Sequence, residues 1–344
     1  MKHTRFLLAS ATLLTSALYA DATHEEAVNK EIGLFFNADF LYWEMHEEGL
    51  EFAVSGVKGS SNPSPNSVKK GKAYKPSFKW DPGFRVGAGY IVPERTWDLW
   101  LNWTRFRTEG KKSASHSGDP ALNPIYSVLD NQGFVLGEVQ SSSAKLKMQY
   151  NTLDFEVGRR YEILPKLKLR PQIGLRGAWI NQDYDIDYLY SNGSGSIAHD
   201  QDMDNDFSGL GLRAGLDSQW AITPHFGFFG NISASIVGGK FHVTEEFTET
   251  LNTILPPRRG VYVNLHDHFF DLAPEVEIML GFHLEPGSSK NRYRLEIDLG
   301  WEYIVWFNQN QLYLFTSSDM RGVGIRERGN LNFQGLVLSA KLHF

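Results

Sequence analysis

Ten stretches of alternating apolar and polar side chains, separated by joins that are short and long in strict turn, constrain this chain more than any other feature. They run near 33–43, 80–92, 97–107, 146–161, 167–180, 207–222, 225–240, 267–284, 292–307 and 331–344. Most are close to the length that a tilted strand needs to cross a bilayer. The short joins are Pro93-Glu94-Arg95-Thr96, Leu164-Pro165-Lys166, Thr223-Pro224 and Glu285-Pro286-Gly287-Ser288, each with a proline that ends a sheet interior. The long polar joins lie near 44–79, 108–145, 181–206, 241–266 and 308–330. Short turns on one side and long loops on the other are the habit of transmembrane barrels, and an even strand number returns both ends to the periplasmic side.

Single strands show the pattern. In 167–179 the odd positions read Leu167, Leu169, Pro171, Ile173, Leu175, Gly177 and Trp179, against Lys168, Arg170, Gln172, Gly174, Arg176 and Ala178. In 293–307 the apolar face runs from Tyr293 through Leu299 and Trp301 to Phe307, opposite Arg294, Glu296, Asp298 and Glu302. Period two with unlike faces is a strand with unlike surroundings on its two sides. A soluble antiparallel sandwich would show the same alternation. Two features favour the membrane. Trp97, Tyr161, Trp179 and Trp220 sit near strand ends, where an aromatic girdle meets the headgroups. The last strand also closes on Phe344 after Leu336, Leu338, Ala340 and Leu342, as in a C-terminal signal read by barrel-assembly machinery.

The amino terminus agrees with export. Lys2 and Arg5 precede the apolar run from Phe6 to Leu18, and Ala20-Asp21-Ala22 offers a cleavage site. The expected division is a signal peptide over 1–22, a short periplasmic segment over 23–32 and a barrel over 33–344. A mean hydropathy of −0.33 does not argue against a membrane, because lipid-facing and lumen-facing residues cancel in the average. The absence of cysteine removes disulfides, thiol catalysis and thiolate metal sites. A net charge of −6 speaks against a nucleic-acid partner.

The face opposite the lipid side carries Arg85, Asp154, Glu156, Lys168, Arg170, Arg176, Arg213, Asp217, Glu275, Glu277, Arg294, Glu296, Asp298 and Lys341. These read either as the polar lining of a channel or as mutually paired charges that fill a narrow barrel. About eight strands are just filled by side chains and about sixteen leave a wide channel, so ten lies near the closed end. Further strands within 50–56 or 126–139 would widen it. Asp183, Asp185, Asp187, Asp200, Asp202, Asp204 and Asp206 read as an acidic mouth favouring cations. Alternating aspartates also suggest Ca²⁺, but Asn205 stands where an EF-hand loop needs Gly and Gly211 where it needs Glu, so no metal site is assigned. His266-Asp267-His268 invites a zinc site or an Asp/His protease at the rim, without a fixed ligand set or catalytic constellation. The Lys69-Lys70-Gly71-Lys72 run lies in an exposed Ser/Pro/Asn-rich loop and reads either as a contact to lipopolysaccharide or a host surface or simply as a solvated loop.

Several stretches carry a family resemblance: Ala38-Asp39-Phe40-Leu41-Tyr42-Trp43, Trp80-Asp81-Pro82-Gly83-Phe84-Arg85-Val86-Gly87 and Trp97-Asp98-Leu99-Trp100-Leu101-Asn102-Trp103-Thr104. Gly174-Leu175-Arg176-Gly177-Ala178-Trp179 and Gly211-Leu212-Arg213-Ala214-Gly215-Leu216 extend it. In these the chain resembles the pore-forming outer-membrane family of Legionella and the related major-outer-membrane-protein-like family of environmental chlamydiae. The resemblance implies a porin at the Gram-negative cell surface and carries over no catalytic residues. The lack of cysteine departs from the cysteine-rich chlamydial proteins.

The expectation is therefore an all-β transmembrane antiparallel barrel of about ten strands, with short periplasmic turns and long external loops. Its expected work is passive diffusion of small solutes or ions, with a cation preference; it needs no cofactor and is not an enzyme. The alternative is a plugged surface barrel acting as adhesin or structural envelope protein, and the remote one is a rim protease. Expected partners are outer-membrane lipid, lipopolysaccharide, the assembly machinery and the solutes themselves, with a homo-oligomer open.

Overall fold

The computed structural model describes residues 33–55, 71–92, 96–115, 122–126, 139–191, 195–252, 256–286, 293–315 and 324–344. The signal peptide and the periplasmic segment expected over 1–32 fall outside them, as does most of the basic Ser/Pro/Asn-rich loop.

Ten strands form the ring: β1 (Leu34–Glu47), β2 (Asp81–Ile91), β3 (Trp97–Ser115), β4 (Val139–Arg159) and β5 (Leu167–Ser191). They continue as β6 (Ser196–Thr223), β7 (Phe226–Leu251), β8 (Arg258–Leu284), β9 (Arg294–Trp306) and β10 (Leu331–His343). Each pairs antiparallel with the next, and β10 closes on β1 from Phe35↔His343 to Glu47↔Leu331. Closure leaves no open edge and gives every strand two hydrogen-bonded neighbours, as lipid demands. Both ends of the ring lie together: the Phe344 amide donates to Leu34 O at 2.9 Å.

Lipid-facing residues follow from parity. Phe36, Phe40 and Tyr42 on β1, Leu153 and Phe155 on β4, Ile173 and Leu175 on β5 and Leu210 and Leu212 on β6 are exposed apolar side chains. The inward positions between them, Asn37, Asp39 and Leu41 on β1, Asp154 on β4, Gly174 on β5 and Gly211 on β6, are mostly polar or glycine, and tightly packed. A Cβ on Gly158, for example, would stand 2.4 Å from Arg170 Nε, so only glycine leaves room for that guanidinium.

The long joins differ from expectation. Much of 108–145, 181–206 and 241–266 is strand: β5, β6, β7 and β8 run 25, 28, 26 and 27 residues, far more than a bilayer needs. The apolar parity inverts along them. On β5 the outward apolar set ends at Trp179, and Ile180, Tyr184, Ile186, Tyr188 and Tyr190 then point inward and are buried. On β6 Phe207 and Met203 are buried inward where Leu210 and Leu212 faced out; on β7 Phe241, Val243 and Phe247 succeed Ile232 and Ile236. Without a change of pleat, this inversion marks where lipid gives way to water: below it the outside must be apolar, above it the inside must be. The barrel thus continues beyond the membrane as a water-facing collar with its own core.

Short strands complete that core. Ala53–Ser55 pairs with Ala73–Tyr74 and Leu122–Pro124, and Tyr313–Phe315 pairs with Gly324–Arg326. Of these only Leu122–Pro124 touches the ring, through the single pair Leu122↔Val139 at the end of β4, and Ala53–Ser55 pairs with no ring strand, so the extra strand considered over 50–56 does not widen the barrel; 127–138 lies outside the described residues.

Candidate functional site

The lumen is where the fold gathers chemistry, and it is layered. At mid-membrane level the layer is ionic. Arg176 forks onto Asp154, Nε and Nη2 donating to its two carboxylate oxygens at 2.6 and 2.7 Å. Its Nη1 lies 2.8 Å from Glu275 and its Nη2 3.2 Å from Glu277. Arg213 joins Glu277 at 3.1 Å to Glu156 at 3.2 Å. Arg170 reaches Glu156 at 3.5 Å, Asp217 at 2.8 Å and Asp98 at 2.6 Å, with its guanidinium 5.3 Å from the Trp100 ring. Arg85 completes the layer on Glu302 at 2.9 Å and Asp39 at 3.5 Å, and donates to Thr104 at 3.0 Å. Arg176, Arg213 and Glu275 are almost fully buried. The arginines are planar donors matched to two or three carboxylates each, the arrangement in which low dielectric favours pairing over separation.

Asp39, Asp98 and Glu302 were not among the candidate site residues. Asp39 shares its inward face with Leu41 and Trp43, so the alternation around it looked apolar on both sides. Four candidates lie apart from this layer, toward the periplasm. Lys168 is exposed and pairs with Glu162 at 3.8 Å. Arg294 contacts Glu296 and lies 3.6 Å from Glu285. Glu296 stands 3.2 Å from His343, and Asp298 is 2.6 Å from His283.

Directly above the ionic layer the lumen is aromatic. Trp43 of β1 has Phe106 of β3 at 5.4 Å and Phe333 of β10 at 5.8 Å between ring centroids. Tyr150 of β4 stands 4.7 Å from Phe333 and 6.2 Å from Trp306 of β9. Phe207 of β6 links Trp306 at 6.4 Å to Phe241 of β7 at 4.6 Å. These rings meet from all sides of the barrel, and each is at most 1% exposed. This layer was not anticipated; its signal, the parity inversion, was present in the sequence.

The top of the core holds a segment of the last external loop. Gln309, Asn310, Gln311 and Leu312 are buried inside the collar. Asn205 Nδ2 donates to Gln309 O at 2.9 Å and to Gln182 Oε1 at 3.1 Å, and Gln182 Nε2 donates to Glu47 at 3.0 Å. The Tyr313 amide donates to Glu245 at 2.5 Å. Burial pushes both collar carboxyls, Glu47 and Glu245, up to about 8 against those hydrogen bonds, so each is largely protonated at neutral pH.

The aspartates expected at a pore mouth lie elsewhere. Asp183, Asp185 and Asp187 share parity with the lipid-facing Trp179, and Asp200, Asp202, Asp204 and Asp206 with Leu210, so all seven face outward on the collar rather than into the lumen. They form cross-strand pairs, Asp187↔Asp200, Asp185↔Asp202 and Asp183↔Asp204. Desolvation between the strands, then the facing carboxylate, raises Asp183, Asp200 and Asp202 above the usual carboxylate range. Among the described residues no three potential ligands are gathered for a metal ion. In the His266-Asp267-His268 run the two imidazoles face outward, while Asp267 turns inward to Arg326 and to Tyr313 Oη at 2.7 Å, so the triplet itself makes no Asp–His pair.

The girdle residues occupy both rims. Trp97, Tyr161 and Trp220 lie at the periplasmic ends of their strands, with the Arg159 guanidinium 5.6 Å from the Trp97 ring and 5.0 Å from that of Tyr161. Trp179 lies at the outer boundary. Phe344 packs edge-on to Phe36 at 5.7 Å and Tyr293 at 5.4 Å.

The family model described as Legionella pneumophila major outer membrane protein precursor matches residues 29–344. Similar solved structures include the outer membrane protease OmpT of Escherichia coli, 10% identical, covering 93% of this chain and 99% of that one with a TM-score of 0.38. A major outer membrane protein of Thermus thermophilus is 11% identical, with coverage of 91% and 98% and a TM-score of 0.30. A Pseudomonas aeruginosa FadL homologue is 8% identical, with coverage of 91% and 90% and a TM-score of 0.27. No curated protein matches the chain.

Proposed function

The chain belongs to the Legionella major outer membrane protein family and is an outer-membrane β-barrel, and from that premise we propose that it acts as a closed surface barrel, presenting its collar outward as a structural or adhesive envelope protein. One observation carries this reading: the aromatic layer of Trp43, Phe106, Tyr150, Phe207, Phe241, Trp306 and Phe333, supplied by ring strands and packed across the lumen. Ten strands enclose little more than their own side chains. Behind that layer the arginine–carboxylate network occupies the remaining section, and each of its charges is held by a partner. An ion crossing here would have to break buried pairs and enter an apolar ring, two barriers in series. The inward turn of Asp267, away from the flanking histidines, supports leaving proteolysis out of this proposal.

A passive pore is the second reading, favoured by the periplasmic half of the lumen. There Asp217 and Asp298 retain side-chain exposures of 23% and 20%, so water reaches the ionic layer from below. Planar-bilayer recording of the refolded full chain separates the two. The closed barrel predicts a silent bilayer for protein whose gel migration shifts on heating. Stable conductance steps at neutral pH would overturn it, and a salt-gradient reversal potential would then report the pore's selectivity.

A further inference from the structure

The sequence offered His266 and His268 as an incomplete metal pair, and the structure supplies a different partner. His242 of β7 is the register partner of His268 on β8. Both side chains are exposed on the outer face of the barrel, where the collar begins, one row above Lys240↔Phe270. Their ring centroids lie 4.6 Å apart with the planes inclined at 59°. Among the described residues neither imidazole makes a hydrogen bond or an ion pair, so its ring nitrogens are uncommitted. We propose that His242 and His268 together bind a transition-metal dication of the zinc class.

Geometry and chemistry both support this. Directly opposed residues on neighbouring strands hold their Cβ atoms about 4.5–5.5 Å apart on one face, which brings two imidazoles within reach of one ion. Zinc–imidazole bonds are about 2.0–2.1 Å, so two nitrogens on one ion must approach within roughly 3–3.5 Å, a separation available to rings already in contact. Imidazole suits zinc, copper and nickel and is a poor ligand for calcium or magnesium, which fixes the class. The surroundings are anionic. Asp206 is the register partner of His242 on its other side, with its Oδ1 held by Asn181 Nδ2 at 2.7 Å, and Asp204 and Asp183 follow in the next row. That field concentrates cations at the collar surface, and water fills the remaining coordination positions. A metal joining β7 to β8 would also tie together two of the longest strands at the membrane boundary. The inference does not depend on whether the lumen conducts.

The test is isothermal titration of Zn²⁺ into the detergent-refolded full chain, with Cu²⁺ electron paramagnetic resonance as a direct reading of ligation. One ion per chain is expected, with a two-nitrogen pattern for copper. Loss of an outer-shell partner alone weakens metal sites roughly tenfold or more. His242→Ala and His268→Ala are therefore each expected to weaken binding by at least that factor and to collapse the pattern to one nitrogen. His225→Ala, at a periplasmic turn, is the control and leaves both readings unchanged. Binding is expected to weaken as the pH falls, because protons and metal compete for the same ring nitrogens. Undiminished binding in both alanine variants, or equal loss in His225→Ala, overturns the proposal. Because both residues are exposed, the variants retain the heat-shifted gel band that certifies a folded barrel.

Discussion

At the scale of single residues, the lumen is governed by the cost of an unpaired buried charge. Arg176 answers Asp154, Glu275 and Glu277 at once, and its removal strands three carboxylates in a space with little water. Breaking a buried pair typically costs about 3–5 kcal/mol, because the orphaned charge loses its partner without regaining solvent. Arg176→Met is expected to fall in that range, read from the denaturant midpoint of the refolded barrel. A loss below about 1 kcal/mol would mean that the network exchanges freely with water, as exposed pairs do. Most of these charges were legible beforehand, because strand parity separates them from the lipid side. Their pairing was not, since partners such as Arg176 and Glu277 stand 101 positions apart in the chain.

At the scale of elements, the β5–β6 ribbon carries a conflict: like charges face each other at Asp187↔Asp200, Asp185↔Asp202 and Asp183↔Asp204. Facing like charges on adjacent strands cost roughly 0.2–1 kcal/mol per pair. The raised values of Asp183, Asp200 and Asp202 have a definite sign. The folded ribbon binds protons more tightly than the unfolded chain, so it is destabilised above the folded value and gains stability as the pH falls through it. The gain is complete below the unfolded aspartate value of about 3.9. Asp202→Asn is accordingly expected to stabilise the ribbon at pH 7 by a few tenths of a kcal/mol. At pH 3 it is expected to have no effect. Hydrogen-exchange protection, referred to unstructured rates at each pH, measures both; a benefit that persists in acid would remove the like-charge explanation.

At the scale of the whole molecule, two solvents act on one continuous sheet. Lipid selects apolar side chains outside the membrane section, and water selects them inside the collar. The aromatic layer sits where the two regimes meet. Truncating Trp43 and Trp306 to alanine removes two of the largest side chains in it. If that layer is the barrier to ions, the double variant conducts in a planar bilayer where the parent is silent. A variant that folds but stays silent would assign the seal to the ionic layer, and charge-neutralising changes at Arg213 would then be the next lever.

Strand number, antiparallel order and the alternation of short and long joins all follow from period-two alternation and join lengths, which are local quantities. The sequence also carried the family. The fate of the long joins was a harder matter. Between 181 and 206 polar residues still alternate with apolar ones, but a loop assignment discards that pattern, and with it the change of apolar parity at Trp179 and Ile180. Which residues share the inside of the collar, which carboxylate each arginine takes, and the outward facing of the seven aspartates depend on contacts between distant strands. The physical reason is closure. Until the ring is complete, a polar face says only that it avoids lipid. The radius of ten closed strands then decides whether that face lines a space or fills it.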